Sequence, residues 1–173
     1  MYLVHYFLTE YEYDYIVWMD SDAVLSKRDL YSIIQCYSSS FFIGLDILSQ
    51  ITMATVNAGV FICRNDRSCK AILEQMILNY EDKQRICLNP DGTLNGKWAM
   101  TCYEQGIMNI VLAKHQSVIT ILSIDVIYNT NAPAINTVIY HNCAGGEKRV
   151  HNMLTFIQTY GLYVNTDRAP NKQ

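Results

Sequence analysis

Short apolar runs of strand length alternate with segments of helical spacing along this chain. The stretch from Tyr15 to Leu25 sets the pattern. The run Tyr15-Ile16-Val17-Trp18-Met19 leads straight into Asp20-Ser21-Asp22, and Ala23-Val24-Leu25 follows. The first run is short and rich in β-branched and aromatic residues, which predicts a buried strand. Residues 1 to about 12 place Leu3, Tyr6, Phe7 and Glu10 at helical spacing. After Leu25, Ser26 is the predicted N-cap of a helix, with Asp29 in its first turn. Leu30, Ile33, Ile34 and Tyr37 would lie on one side, and Ser38-Ser39-Ser40 would end it. Phe41 to Leu45 reads as a strand ending near Asp46. Asn57-Ala58-Gly59 reads as a small-residue turn feeding a buried strand through Arg64.

Asp66 is the predicted cap of a helix carrying Cys69, Ile72, Leu73, Met76 and Ile77. From about residue 80 to 100 the periodicity breaks. Asn89-Pro90-Asp91-Gly92 and Asn95-Gly96 are turn signals there, and Trp98 follows as a stacking surface or buried anchor. Thr101 and Glu104 have the spacing of a capping box ahead of a helix through Ile107, Ile110, Val111 and Leu112. Residues 117 to 128 are β-prone, and Asn129 to Asn136 carries turn residues. Val138-Ile139-Tyr140 reads as a strand leading into His141-Asn142-Cys143-Ala144-Gly145-Gly146-Glu147-Lys148. A last helix holds Val150, Met153, Leu154 and Ile157, and the tail after Asn165 is polar. The alternation of strands and helices predicts one α/β domain over residues 1–173.

Composition narrows the functions this domain can have. Half of the 173 residues are hydrophobic and 17% are charged, which suits a packed core rather than a disordered chain. The net charge is -3, with no basic patch or polybasic run, so neither nucleic acid nor an anionic membrane surface is an expected partner. No stretch approaches the roughly 20 apolar residues of a membrane span. The apolar N-terminus lacks a basic leader and is not read as a signal peptide. The expectation is a cytoplasmic location, with the Golgi lumen as the alternative for a chain shortened at its N-terminus. None of the six cysteines forms a Cys-x-x-Cys pair, which argues against a zinc site; reduced thiols are expected.

Three stretches would have to meet in space to make a site. The carboxylates of Asp20 and Asp22, two residues apart, point to one face if the strand geometry persists, and can converge on one cation. The open end of a strand in an α/β sheet is where ligands bind. His141 follows a strand and precedes a flexible turn. An imidazole with two carboxylates suits Mn²⁺ better than Mg²⁺, which prefers oxygen ligands. Lys148 could reach a phosphate, and Gly145 and Gly146 would let backbone N–H groups face it. The third stretch combines Asn57 to Gly59 with the helix start Glu104-Gln105-Gly106. His5, His115 and His151 lack such company, and Arg149 reads as a solvated cation at a helix start.

The order Asp-x-Asp strand, Asn-Ala-Gly-Val-Phe strand, Glu-Gln-Gly-x-x-Asn helix and His-x-x-x-Gly-x-x-Lys turn, spanning about residues 15 to 148, resembles retaining glycosyltransferases of the GT-A fold. Glycogenin-like galactosyl- and glucosyltransferases, and the α-galactosyl/α-mannosyltransferases of fungi and plants, share it. The resemblance implies a mixed sheet flanked by helices. It implies transfer of a hexose from a UDP- or GDP-sugar to a hydroxyl of a glycan, protein or lipid, with retention. By it, Asp20, Asp22 and His141 hold Mn²⁺, with Mg²⁺ as the alternative. Lys148, Gly145 and Gly146 meet the diphosphate, and Asp20, Asp46, Asn57 and Gly59 shape the donor site. Glu104 and Gln105 line the reacting face of the sugar. Glu104 has a plainer role as well, as the acidic half of the capping box.

Such folds begin with about two βα units that grip the nucleobase, and fewer than twenty residues precede the Asp-x-Asp strand here. The expectation is therefore a C-terminal portion of the fold. Its exposed sheet edge would invite self-association or a partner chain supplying the base-binding half. Two alternatives compete. A shortened domain could bind without turnover. A haloacid-dehalogenase-type phosphatase also uses Asp-x-Asp at a strand end, but it needs a second carboxylate pair where only Asp125 stands.

Overall fold

A computed structural model describes residues 1–26, 28–47, 56–87, 89, 91, 93, 103–130, 136–143 and 146–160, with side chains to residue 82 in the helix that ends at 87. Helix α1 (Tyr2–Glu10) leads to strand β1 (Tyr15–Met19), β2 (Ala23–Leu25), helix α2 (Leu30–Ile34), β3 (Phe41–Leu45) and β4 (Val56–Arg64). Helices α3 (Arg67–Cys87) and α4 (Glu104–Leu112) follow, then β5 (Ile119–Leu122), β6 (Ile127–Asn129), β7 (Ile139–His141) and helix α5 (Arg149–Tyr160). The strands form two mixed sheets, ordered β1-β4-β3-β5 and β2-β7-β6.

Period-two alternation on the central strands supplies a core on each face of the larger sheet. Phe41, Ile43, Phe61 and Cys63 face helices α1, α3 and α4 through Leu8, Ile72, Leu73, Met76, Ile107 and Met108. Phe42, Val60 and Ile62 face the other way, toward Ile34 of α2 and the Ile127, Val138 and Ile139 region of the smaller sheet. The pairing of β3 with β4 slips partway. Ile43 faces Phe61, whereas Leu45, two residues on, faces Val56, five residues back. The surplus backbone on β4 falls on the Asn57–Val60 segment, a bulge of the kind that re-aims side chains. Asn57 to Gly59 therefore lies inside a strand, not in a turn ahead of one.

Several expectations change on contact with the tertiary structure. Strand β1 is the edge of its sheet, with Val17 39% exposed, rather than a strand buried on both sides. In α1 the buried side chains are Val4 and Leu8, and Leu3 and Tyr6 face out, because the helix is rotated to seat its stripe on α3. Asp29, not Ser26, caps α2, accepting from the Ser32 backbone N–H at 3.2 Å. Ser26 is buried, and its N–H donates to the Val138 carbonyl at 2.8 Å. Asp66 does cap α3, at 2.8 Å from the Cys69 N–H. That helix continues through Cys87, past the predicted break near residue 80. Tyr103 is the N-cap of α4 and makes no side-chain cap bond, so Glu104 opens the helix instead of closing a capping box. The β-prone run 117–128 splits into β5 and β6 around a turn at 123–126, and Asn129 belongs to β6. In α5 Asn152 and Phe156 turn inward, Phe156 against Tyr140 with ring centroids 5.2 Å apart, while Val150, Leu154 and Ile157 are exposed. Trp98, Thr101, Cys102, Gly145 and the tail after Asn165 lie outside the described residues. Among the described residues, no helix is long and apolar enough to cross a membrane.

Phe41 is fully buried and stacks on Phe61 at 5.5 Å. Phe41→Ala is expected to lower the unfolding free energy by about 3–5 kcal/mol, read from urea denaturation. Val17→Thr at the exposed edge should change it by less than about 0.5 kcal/mol.

Candidate metal centre and its surroundings

The chain brings Asp20, Asp22 and His141 together from two distant stretches. One ligand atom of each lies within 4.8 Å of the others. The convergence does not come from an extended strand, because β1 ends at Met19. The Asp20 N–H donates to the Gly59 carbonyl at 2.8 Å, extending the β1–β4 pairing by one residue. The Ala23 N–H then donates to the Asp20 carbonyl at 3.0 Å and closes a turn. That turn carries the chain into β2, where Ala23 faces His141 of antiparallel β7. The Asn142 N–H donates to the Asp22 carbonyl at 3.0 Å. Backbone pairing thus places Asp22 beside the imidazole, with Nε2 3.2 Å from Asp22 Oδ1.

His141 is buried in the seam between the two sheets. Its ring lies against Gly59, where an added Cβ would sit 2.1 Å from Cε1. Its Nδ1 is 2.9 Å from Asn129 Oδ1. Asn129 is fully buried, and its amide Nδ2 donates to the Leu45 carbonyl at 2.9 Å. Burial lowers the His141 pKa below the ordinary histidine range, against the pull of Asp22 and Asp20. Burial likewise raises the Asp20 carboxyl, helped by the neighbouring charges of Asp22 and Glu104 and opposed by the Trp18 indole N–H and by His141. That indole donates to Asp20 Oδ1 at 3.1 Å. Both shifts disfavour the charged forms. Burial is the main cause of both; an ion held here would favour the ionised carboxylate of Asp20 and, like burial, the neutral imidazole of His141. Two carboxylates and a neutral imidazole form a donor set that fits such an ion.

Arg149 is not merely solvated. Its guanidinium is 3.2 Å from Asp22 Oδ2, with its side chain 41% exposed. Asn142 Nδ2 donates to the Arg149 carbonyl at 3.0 Å and ties α5 to this corner. Asn142 Oδ1 and Arg149 Nε are buried here with no hydrogen-bond partner among the described residues.

The other singled-out residues fall into two groups. Asn57, Asp46 and Gln105 are buried together. Asn57 Oδ1 accepts from the Gly59 N–H at 2.9 Å and closes the bulge on itself. Gln105 Oε1 accepts from the Ala58 N–H at 3.2 Å, and its Nε2 donates to Asp46 Oδ2 at 3.0 Å. Both ends of Gln105 are therefore engaged within the protein. Glu104 is exposed and borders a pocket of about 150 Å³ with Trp18, Asp20, Ala58, Phe61 and Met108. Gly146 adopts a left-handed backbone (φ 53°) with open space around it, and Lys148 is exposed in the same turn. His5 and His115 lie elsewhere, against Glu74 and Gln75 of α3.

Sequence reasoning missed Asn129, Asn142 and the Arg149–Asp22 pair. One faint signal existed: polar side chains closing the apolar runs Ile127-Tyr128 and Ile139-Tyr140, where a strand end meets the site.

Gly59→Ala is expected to push the His141 ring aside and lower the unfolding free energy by about 1–3 kcal/mol, measured in denaturant. Cys143 supplies a second check. Burial, with the Asp46 charge adding, pushes its thiol up to about 12. At pH 8 iodoacetamide should label exposed Cys36 and spare buried Cys143 in the native protein, read by peptide mass spectrometry.

No protein-family model and no curated protein sequence matches the chain. Similarity to solved structures is found at the level of the fold. The glycosyltransferase GlyE of Streptococcus pneumoniae TIGR4 superposes with a TM-score of 0.54 at 14% identity, over 81% of this chain and 36% of that one. Mouse xyloside xylosyltransferase 1, in its apo form, superposes with a TM-score of 0.53 at 11% identity, over 83% of this chain and 64% of that one. The chain thus spans about a third of the first protein's length and just under two thirds of the second's. Its mixed sheets flanked by helices are similar to the folds of glycosyltransferases.

Proposed function

We propose that this chain carries the metal-binding part of a GT-A-type glycosyltransferase, resembling the glycogenin-like and α-galactosyl/α-mannosyltransferase families. It would move a hexose from a UDP- or GDP-sugar to a hydroxyl of a glycan, protein or lipid, with retention. The observation that carries the reading is the meeting of Asp20, Asp22 and His141 at the end of β1, in a fold similar to those of two glycosyltransferases. Fold alone would not support a function, because one fold hosts many activities. The donor set supplies the chemistry.

Asp20, Asp22 and His141 would hold Mn²⁺, or Mg²⁺ in its place. When bound, the ion supplies positive charge where a departing nucleoside diphosphate gathers negative charge. Lys148 and the backbone around Gly145 and Gly146 would meet the same diphosphate. Glu104 is the better placed of the two reacting-face residues, because it borders the pocket that contains Asp20. A carboxylate there favours an oxocarbenium-like sugar. Gln105, Asp46 and Asn57 would shape the donor-sugar side from behind, through bonds that already hold them. Among the described residues, His141 and not a second carboxylate pair stands beside Asp20, so the arrangement favours this reading over a haloacid-dehalogenase-type phosphatase.

Isothermal titration with Mn²⁺ tests the centre directly. The protein is expected to bind the ion, and Asp22→Ala and His141→Ala should each weaken binding at least about tenfold, or ~1.4 kcal/mol. A thermal-shift screen of UDP- and GDP-sugars should find a donor that raises the melting temperature only when Mn²⁺ is present. Absence of Mn²⁺ binding, or equal binding by His141→Ala, would sink the proposal. Binding of metal and donor without transfer would instead favour a non-catalytic binding domain.

A further inference from the structure

Two glycines on neighbouring strands of the larger sheet make room for two polar side chains of the smaller one. An added Cβ at Gly44 would lie 2.6 Å from Asn129 Nδ2, and one at Gly59 would lie 2.1 Å from His141 Cε1. Between them runs a short relay. The Leu45 carbonyl accepts from Asn129 Nδ2 at 2.9 Å, and Asn129 Oδ1 faces His141 Nδ1 at 2.9 Å. A carbonyl can only accept, so it fixes which end of the Asn129 amide turns toward the histidine. The end presented to Nδ1 is an oxygen, which also only accepts.

A neutral imidazole has one proton for two nitrogens. At Nδ1 the facing group is Asn129 Oδ1, fully buried with its residue. At Nε2 it is the Asp22 carboxylate, 15% exposed and already paired with Arg149. The Nδ1 contact is the shorter of the two, 2.9 against 3.2 Å. Among the described residues, Asn129 Oδ1 has no group other than the imidazole proton to offset a bare lone pair facing it, whereas Asp22 is partly exposed and has Arg149 to offset its charge. We propose that Asn129 is a positioning residue, which holds His141 in the Nδ1–H form and so turns an Nε2 lone pair toward Asp20 and Asp22. The consequence for metal binding rests on the functional reading above. The tautomer does not. Without Asn129 the proton moves to Nε2, donates to Asp22 and occupies the atom a metal would use.

The test is a long-range ¹H–¹⁵N correlation spectrum of the metal-free ¹⁵N-labelled protein at pH 8. His141→Gln identifies the signal among the four histidines. The wild-type protein is expected to show His141 protonated at Nδ1. Asn129→Leu should convert it to the Nε2–H form and weaken Mn²⁺ binding about ten- to a hundredfold. Asn129→Asp retains an acceptor and should retain the Nδ1–H form. An Nε2–H signal in the wild-type protein, which needs no variant to fold, would overturn the proposal, as would an unchanged tautomer in folded Asn129→Leu. A wild-type protein that binds no Mn²⁺ would refute the functional reading, and the spectrum would still decide the role of Asn129.

Discussion

The seam between the two sheets depends on one close approach, the imidazole of His141 lying on the bare backbone of Gly59. A side chain at that position on β4 would hold the sheets apart. With glycine there, β7 can bring a ring under the end of β1, and the turn from Asp20 to Asp22 can close over it. The slip in the β3–β4 pairing serves the same end. It places surplus backbone at Asn57–Val60, so the strand offers a carbonyl to Asp20 and an open face to His141 within the same few residues. Asn57 stabilises that irregular backbone by bonding the Gly59 N–H from its own side chain. The local structure of β4 and the geometry of the centre are therefore one arrangement.

Electrostatics explains why the arrangement is not simply a stabilising ion pair. Arg149 meets Asp22, but at a partly exposed position where such pairs contribute roughly 0–1 kcal/mol. The deeper contact is that of His141 Nε2 with Asp22 Oδ1, at 3.2 Å. Burial raises Asp20 and lowers His141, so each is biased away from the charge it would carry as an isolated surface group. The described residues place Arg149 on the far oxygen of Asp22, away from the side that Asp22 shares with Asp20 and His141.

Much of this was legible in the sequence, and for identifiable reasons. Strands β1, β3 and β4 were readable because short apolar runs ended at Asp20, Asp46 and Arg64. The cap of α3 was readable because Asp66 preceded a clean three-and-four spacing. The three metal-ligand candidates were readable because carboxylates and an imidazole closed apolar runs. What was not legible depends on tertiary orientation. The inward faces of α1 and α5 are set by the surfaces they pack against, and apolar residues occur on both sides of each helix. Val4 and Leu8 could not be preferred to Leu3 and Tyr6 without α3, nor Phe156 to Leu154 without Tyr140. Asn129 was read as a turn residue because asparagine usually marks one. Its burial follows from Gly44, on a strand 85 residues earlier, and no local pattern links the two.

The polar groups behind the centre carry a cost that apolar residues would avoid. Asn129, His141, Gln105, Asp46 and Asn57 are all buried, and each needs a partner to remain there. The structure meets that need with specific bonds: Asn129 to Leu45, Gln105 to Ala58 and Asp46, Asn57 to Gly59. Well-packed apolar side chains of similar volume could match or exceed the stability such networks supply. Apolar substitutes could not fix the direction of an imidazole lone pair or hold a carboxamide between β4 and Asp46. These directional bonds fix the orientation of the side chains at that corner, beside two cores filled mainly by Phe, Ile, Leu, Val and Met. That orientation is held at the expense of packing that would be simpler and at least as stable; fixed geometry of this kind is what a binding centre needs and what a purely structural junction can do without.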